Sequence, residues 1–172
     1  TCGRIPGGDF EIVGTDLVQP GSVTGGTAGV SYLVPWGSAP AVRFLARALR
    51  EGLTVKSNDK AFINIGNAYP AGTLILDIAD NPASIHDTIN QLAEETGAHV
   101  VAVNDSWVTD GPSFGSANVV RFNEPRIAMA WDQPTSAYSA GNTRFVIERQ
   151  FDFPVTPIRV DSLRSANLSR YQ

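Results

Sequence analysis

The side chains best suited to nucleophilic, acid–base or zinc chemistry are few in these 172 residues: two histidines, His86 and His99, and one cysteine, Cys2. A catalytic zinc takes three protein ligands, two of them close in sequence at helical or short-loop spacing. His86 lies in the helical run Ile85-His86-Asp87-Thr88-Ile89, and isoleucine stands where a His-x-x-Glu pair needs its acid. It reads as a histidine on a solvated helix face. His99 opens the apolar run Val100 to Val103 and reads as a strand-edge residue. Cys2 sits beside Gly3 and ahead of Pro6, Gly7 and Gly8, with no neighbouring base to draw off its proton. A lone cysteine also excludes an internal disulfide and a four-cysteine zinc site.

Serine chemistry fares no better. No Gly-x-Ser-x-Gly elbow occurs, and Gly111-Pro112-Ser113-Phe114-Gly115 approaches it only in outline, inside a loop that follows no strong strand. Gly25-Gly26-Thr27-Ala28-Gly29 has the glycine content of a phosphate loop, yet it precedes a strand and lacks the following lysine, so it reads as a flexible linker. Arg43, Arg47 and Arg50 form a stripe opposite the apolar side of a helix, the pattern of a solvated face.

One constellation has the right setting for a ligand. In open α/β sheets ligands bind beyond the carboxyl ends of the strands, and Asp132-Gln133 follows a strand expected at Arg126 to Trp131. The chain then runs through Tyr138 and Ser139 into a helix start, where free N–H groups attract a carboxylate or phosphate. Asp132, Gln133, Tyr138 and Ser139 are therefore the candidate binding residues. The plainer alternative is that Ser139 caps the helix while Asp132 makes local turn hydrogen bonds.

The elements that must position these residues follow from periodicity and punctuation. Residues 1–29 are rich in glycine and threonine and read as an extended entry segment, with one short strand at Phe10 to Val13. Residues 30–122 read as a mixed α/β lobe. Its strands are expected at Ser31 to Val34, Leu53 to Val55, Ala61 to Ile65, Thr73 to Ile78, His99 to Val103 and Val119 to Phe122. A helix over Ala39 to Glu51 takes Ser38 as its cap and Gly52 as its stop, and a second starts at Asn81-Pro82, buries Ile85, Ile89 and Leu92, and ends at Gly97. The turn Gly66 to Gly72 makes a hairpin of the strands flanking it, and the lobe is expected to form one mixed-sheet layer. Residues 104–118 read as a surface loop. Residues 123–172 carry strand, helix and strand at Arg126 to Trp131, Ser139 to Gln150 and Val155 to Val160, a parallel βαβ unit. Two parallel strands and one helix cannot cover both faces of the pair, so this unit is expected to be part of a larger sheet.

Composition bounds the partners. Hydrophobic residues at 42% supply a buried core, whereas 17% charged residues and a net charge of −4 provide no basic surface for nucleic acid. Apolar runs such as Ile127 to Trp131 fall far short of the ~20 residues of a membrane span.

Several strings taken together carry a family resemblance: Tyr32-Leu33-Val34-Pro35-Trp36, Tyr69-Pro70-Ala71-Gly72-Thr73, Ser106-Trp107, Ala130-Trp131-Asp132 and Tyr138-Ser139-Ala140-Gly141. The stretch from Val13 to Tyr171 resembles the region after the catalytic domain of large bacterial zinc-carboxypeptidase-like proteins, running into a class I glutamine amidotransferase-like, flavodoxin-type domain. The resemblance implies a secreted or periplasmic hydrolase whose zinc belongs to a peptidase domain upstream, with this chain holding no cofactor of its own. The chain's partners would then be that peptidase domain and a peptide substrate. Asn142 departs from the aromatic residue expected after Tyr138, Ser139 and Gly141. The function implied is a non-catalytic, substrate-positioning segment; the alternative is a small-molecule or peptide-binding module centred on Asp132.

Overall fold

Successive side chains of a strand point to opposite faces, so an apolar run with no polar alternation needs cover on both sides. Tyr32, Leu33 and Val34 are such a run, and all three are fully buried. The computed structural model describes residues 19–171; Cys2 and the strand expected at Phe10 to Val13 lie outside them. Its elements are β1 (Ser22–Thr24), β2 (Ser31–Val34), α1 (Ala39–Arg50), β3 (Lys56–Asn58), β4 (Phe62–Asn64), β5 (Asn67–Tyr69) and β6 (Leu74–Asp77). There follow α2 (Ile85–Thr96), β7 (His99–Val103), β8 (Val108–Asp110), β9 (Val119–Arg121), β10 (Ile127–Trp131), α3 (Ala137–Phe145) and β11 (Val155–Arg159).

The result is an α/β fold built on a mixed sheet in the order β1-β7-β2-β6-β3-β9, in which only β1 and β7 pair in parallel. One face carries Tyr32, Val34, Leu74, Leu76, Val100 and Ala102, which pack with Phe44 and Leu49 of α1 and Ile85, Ile89 and Leu92 of α2. The opposite face carries Leu33, Ile75 and Val103, which pack with Phe62, Tyr69 and Phe114. These aromatics belong to a second, three-stranded sheet, β5-β4-β8, and to the loop after it. Phe62 stacks on Tyr69 with ring centroids 5.1 Å apart and meets Phe114 edge-on at 5.6 Å. Full burial of each such side chain contributes about 1.5–3 kcal/mol, so the two faces together dominate the stability of the lobe.

Local punctuation works as expected in the helices. Ser38 accepts the Ala41 N–H at the start of α1, Gly52 follows its end with φ +75°, and Gly97 closes α2 with φ +76°. Arg43 donates from Nε and Nη2 to the Thr96 carbonyl at 3.3 and 3.2 Å, satisfying an acceptor that the end of α2 leaves open.

Strand pairing departs from expectation in several places. The strands flanking Gly66 to Gly72 do not form a hairpin: β4 turns through Ile65-Gly66 to pair with β5, while β6 lies in the large sheet between β2 and β3. The lobe is thus two sheets, not one layer. Leu53 and Val55 are buried, but the ladder begins one residue later, at Lys56. Asn81-Pro82 does not start α2. The Asn81 side chain instead bonds the Thr54 N–H and carbonyl and the Asp77 carbonyl, and the helix begins at Ile85. The glycine run before β2 is no loose linker, because it joins β1, itself unanticipated, to β2. A Cβ at Gly25 would meet the Ala102 carbonyl oxygen at 2.6 Å.

At one end of the central strands, Lys56 of β3 reaches Asp77 of β6 at 2.8 Å and Asp80 at 2.5 Å, and the buried Ser31 of β2 donates to the other oxygen of Asp77. The two carboxylates hold the Lys56 ammonium above its ordinary value of 10.5, and burial pushes Tyr69 above 10.0. A raised folded-state value means that the folded chain holds the proton more tightly, so this stability is complete below the unfolded value and is lost as pH rises through the folded one. Urea unfolding is accordingly expected to show stability falling above pH 10.5. Lys56→Met should start lower by about 1–3 kcal/mol, having removed the cation between Asp77 and Asp80, and lose stability less steeply in that range. An unchanged alkaline slope in the variant would contradict this account.

Candidate functional site

β10 and β11 pair in parallel from Ile127↔Val155 to Trp131↔Arg159, as expected of a βαβ unit, and their carboxyl ends lie side by side. Here the chain must leave β10, turn, and enter α3. Asp132 does this with φ +67°, a left-handed conformation that Asp and Asn adopt more readily than other non-glycine residues. Its carbonyl accepts the Thr135 N–H at 2.9 Å and the Thr135 hydroxyl, closing a tight turn. Its carboxylate points across to β11: Oδ1 accepts the Val160 N–H at 3.3 Å, and Oδ2 lies 3.9 Å from Arg159 Nε.

The helix start is also organised from within. Ser136, not Ser139, is the cap: its hydroxyl accepts the Ser139 N–H at 3.4 Å, and its carbonyl accepts the Ala140 N–H at 2.9 Å. The helix therefore begins at Ala137, two residues before the expected Ser139. Between α3 and β10 lies an open hollow of about 390 Å³, floored by Met129 and Ala130 and edged by Thr135, Ser136, Ser139 and Thr143. The Thr135 and Ser136 hydroxyls serve the turn and the cap, which leaves Ser139 and Thr143 to meet a group that accepts and donates hydrogen bonds.

Of the four residues picked from the sequence, only Ser139 lines this hollow. Asp132 stands at the strand end as expected, but its carboxylate serves the β11 terminus; Gln133 is exposed, and Tyr138 is 87% exposed. Thr135, Ser136 and Thr143 were not singled out. Ser136, Ser139 and Thr143 nevertheless recur at the spacing of one helix face, a signal present in the sequence. Arg144 sits over the Trp131 ring at 5.5 Å and pairs with Glu148 at 2.9 Å, fixing the helix against the strand end.

The other chemically capable groups are engaged structurally. His86 is not on a solvated face: it is half-buried, with Nδ1 2.9 Å from the hydroxyl of Tyr32, which also accepts the Ala28 N–H at 3.3 Å. His99 is exposed and lies 3.5 Å from the Ser22 hydroxyl. The arginine stripe is likewise not simply solvated, since Arg43 holds α2 and Arg47 pairs with Glu95. Among the described residues, no three His, Cys, Asp or Glu side chains gather where they could hold a metal ion, and no helix is long and apolar enough to cross a membrane.

Fold and site together define an α/β protein with a mixed sheet, carrying a parallel βαβ unit with a hydroxyl-edged hollow beside its helix. No family model, no curated protein and no solved structure matches the chain.

The geometry around Asp132 makes a graded series. Asn keeps both the left-handed tolerance and an acceptor for Val160, whereas Ala keeps neither. Asp132→Asn is expected to retain slow exchange of the Val160 amide, and Asp132→Ala to expose it and lower stability by about 1–2 kcal/mol. Amide hydrogen exchange resolved at Val160 checks this, and equal protection in both variants would show that the carboxylate does not hold the strand end.

Proposed function

We propose that this chain is a non-catalytic accessory or substrate-positioning segment of a zinc-carboxypeptidase-like hydrolase, acting through the surface of its βαβ unit. The observation that carries the reading is the incomplete cover of that unit. Parallel strands are ordinarily buried on both faces, yet every residue of β10 is only half-buried and α3 buries no side chain at all. Tyr138, Phe145, Val146 and Leu168 are large apolar residues left exposed in the same unit, at 87, 59, 37 and 43%. Tyr138 and Phe145, two helical turns apart on α3, share one face of that helix, and an exposed apolar face is where a partner surface would sit on this reading. The occupant on this reading is the peptidase domain, in a secreted or periplasmic protein, with zinc and bond cleavage residing in that domain.

A second reading has one observation in its favour. The hollow edged by Ser139 and Thr143 suits a small molecule or a peptide backbone at the start of α3.

The two readings separate experimentally. If the unit is a docking face, Tyr138→Ser with Phe145→Ser should leave thermal stability within about 0.5 kcal/mol, as expected for surface changes, while abolishing association with the peptidase domain. The purified chain should hydrolyse no peptide and carry no stoichiometric zinc by elemental analysis. Stoichiometric zinc on His86 or His99, or cleavage by the chain alone, would refute the accessory role. If the hollow is the working site, inorganic phosphate or a short peptide should raise the melting temperature of the wild-type chain, and Ser139→Ala with Thr143→Val should remove that rise.

A further inference from the structure

The βαβ unit shares no strand ladder with either sheet of the lobe. Its own buried apolar residues, Phe153 and Val155, join neither of the lobe's two apolar clusters. What links the two bodies through side chains is a set of charges. Arg50 of α1 reaches the Asp152 carboxylate at 2.7 Å and also donates to the Asp152 carbonyl. Arg47, one helical turn earlier, lies 3.6 Å from the same carboxylate oxygen and pairs through its Nη1 with Glu95 of α2. These groups edge a polar cleft of about 230 Å³ that also includes Thr88 and Gln91 of α2.

From this geometry we infer that Arg47, Arg50 and Asp152 form an ionic latch that sets the orientation of the βαβ unit against the lobe and loosens with rising ionic strength. Three features support a latch over incidental surface pairing. Asp152 is held out toward α1 by a left-handed backbone, φ +53°, at the point where the chain leaves the π-type turn Val146–Gln150 and enters β11. Both arginines lie in the last turn of α1, where the helix dipole favours cations and the helix fixes their spacing. Arg47 spans two carboxylates, so the turn before β11 is tied to α1 and, through Glu95, to α2 at once. A single exposed pair contributes little, and it is the sharing of one carboxylate by two guanidinium groups that makes the joint cooperative. Among the described residues neither apolar cluster of the lobe includes a side chain of the βαβ unit, and the latch on this reading decides which way the exposed face of α3 is presented. The inference stands whether or not that face docks on a peptidase.

Amide hydrogen exchange of the intact chain tests it, read at residues 151–153 and at the end of α1. Screening shortens from about 10 Å at 0.1 M salt to about 3 Å at 1 M. In the wild type, exchange at 151–153 is expected to quicken roughly three- to tenfold between low and high sodium chloride, as loss of two exposed pairs predicts. Asp152→Asn retains the left-handed conformation and removes the charge, so its exchange should be fast at low salt and insensitive to further salt. Arg47→Gln with Arg50→Gln should behave in the same way. Small-angle scattering should show a larger maximum dimension under each opening condition, with unchanged far-ultraviolet dichroism. Exchange and scattering that ignore salt in the wild type would overturn the latch, as would salt sensitivity that persists in Asp152→Asn. Should a variant fail to fold, the salt series on the wild type still decides.

Discussion

The constraint on which the rest depends is the burial of β2 on both faces. Tyr32, Leu33 and Val34 alternate across the sheet and none reaches solvent, so the strand is stable only with two separate covers. The helices provide one, because α1 and α2 each bury an apolar side against it. The other must come from elements with few residues to spare, and it does so largely with aromatics, Phe62, Tyr69 and Phe114, joined by Val108 and Val119. The small sheet is thus a consequence of the apolar run in β2.

How much of this could be read in advance depends on whether the information is local. Helix α1 was legible because Ser38 and Gly52 are its own start and stop signals, and its period is self-contained. The choice of strand partner was not. Phe62-Ile63-Asn64 and Leu74-Ile75-Leu76 both read as strands, but what sends the second into the large sheet is the need of β2 for a neighbour some forty residues earlier. β1 was missed for the same reason: Ser22-Val23-Thr24 has one half-buried side chain and becomes a strand only because β7 lies beside it. His86 illustrates the same limit for single residues. Nothing in its helical neighbourhood announces Tyr32, whose hydroxyl arrives from 54 positions away.

The candidate site divides along the same line. That Asp132 follows a strand end and precedes a helix was readable, since both elements are marked by period and composition. Where its carboxylate points was not, because that is set by a left-handed φ at Asp132 and by the register that brings Val160 opposite it. The shift of the cap from Ser139 to Ser136 has a similar origin. Two serines three residues apart can each cap a helix, and the turn closed by Thr135 on the Asp132 carbonyl selects the earlier one. Once Ser136 is the cap, Ser139 moves into the first turn and its hydroxyl is released toward the hollow.

The lobe and the βαβ unit solve the problem of cohesion by different physics. Within the lobe the dominant contribution is non-directional burial, which tolerates salt and holds the sheets in fixed contact. Between the lobe and the unit the side-chain contacts are directional and charged, and guanidinium forks suit this setting because they retain geometry while remaining hydrated. An apolar joint in the same place would have fixed the unit permanently and covered part of its exposed surface. A charged joint leaves α3 accessible and, on the latch proposed above, makes its presentation depend on the ions around it.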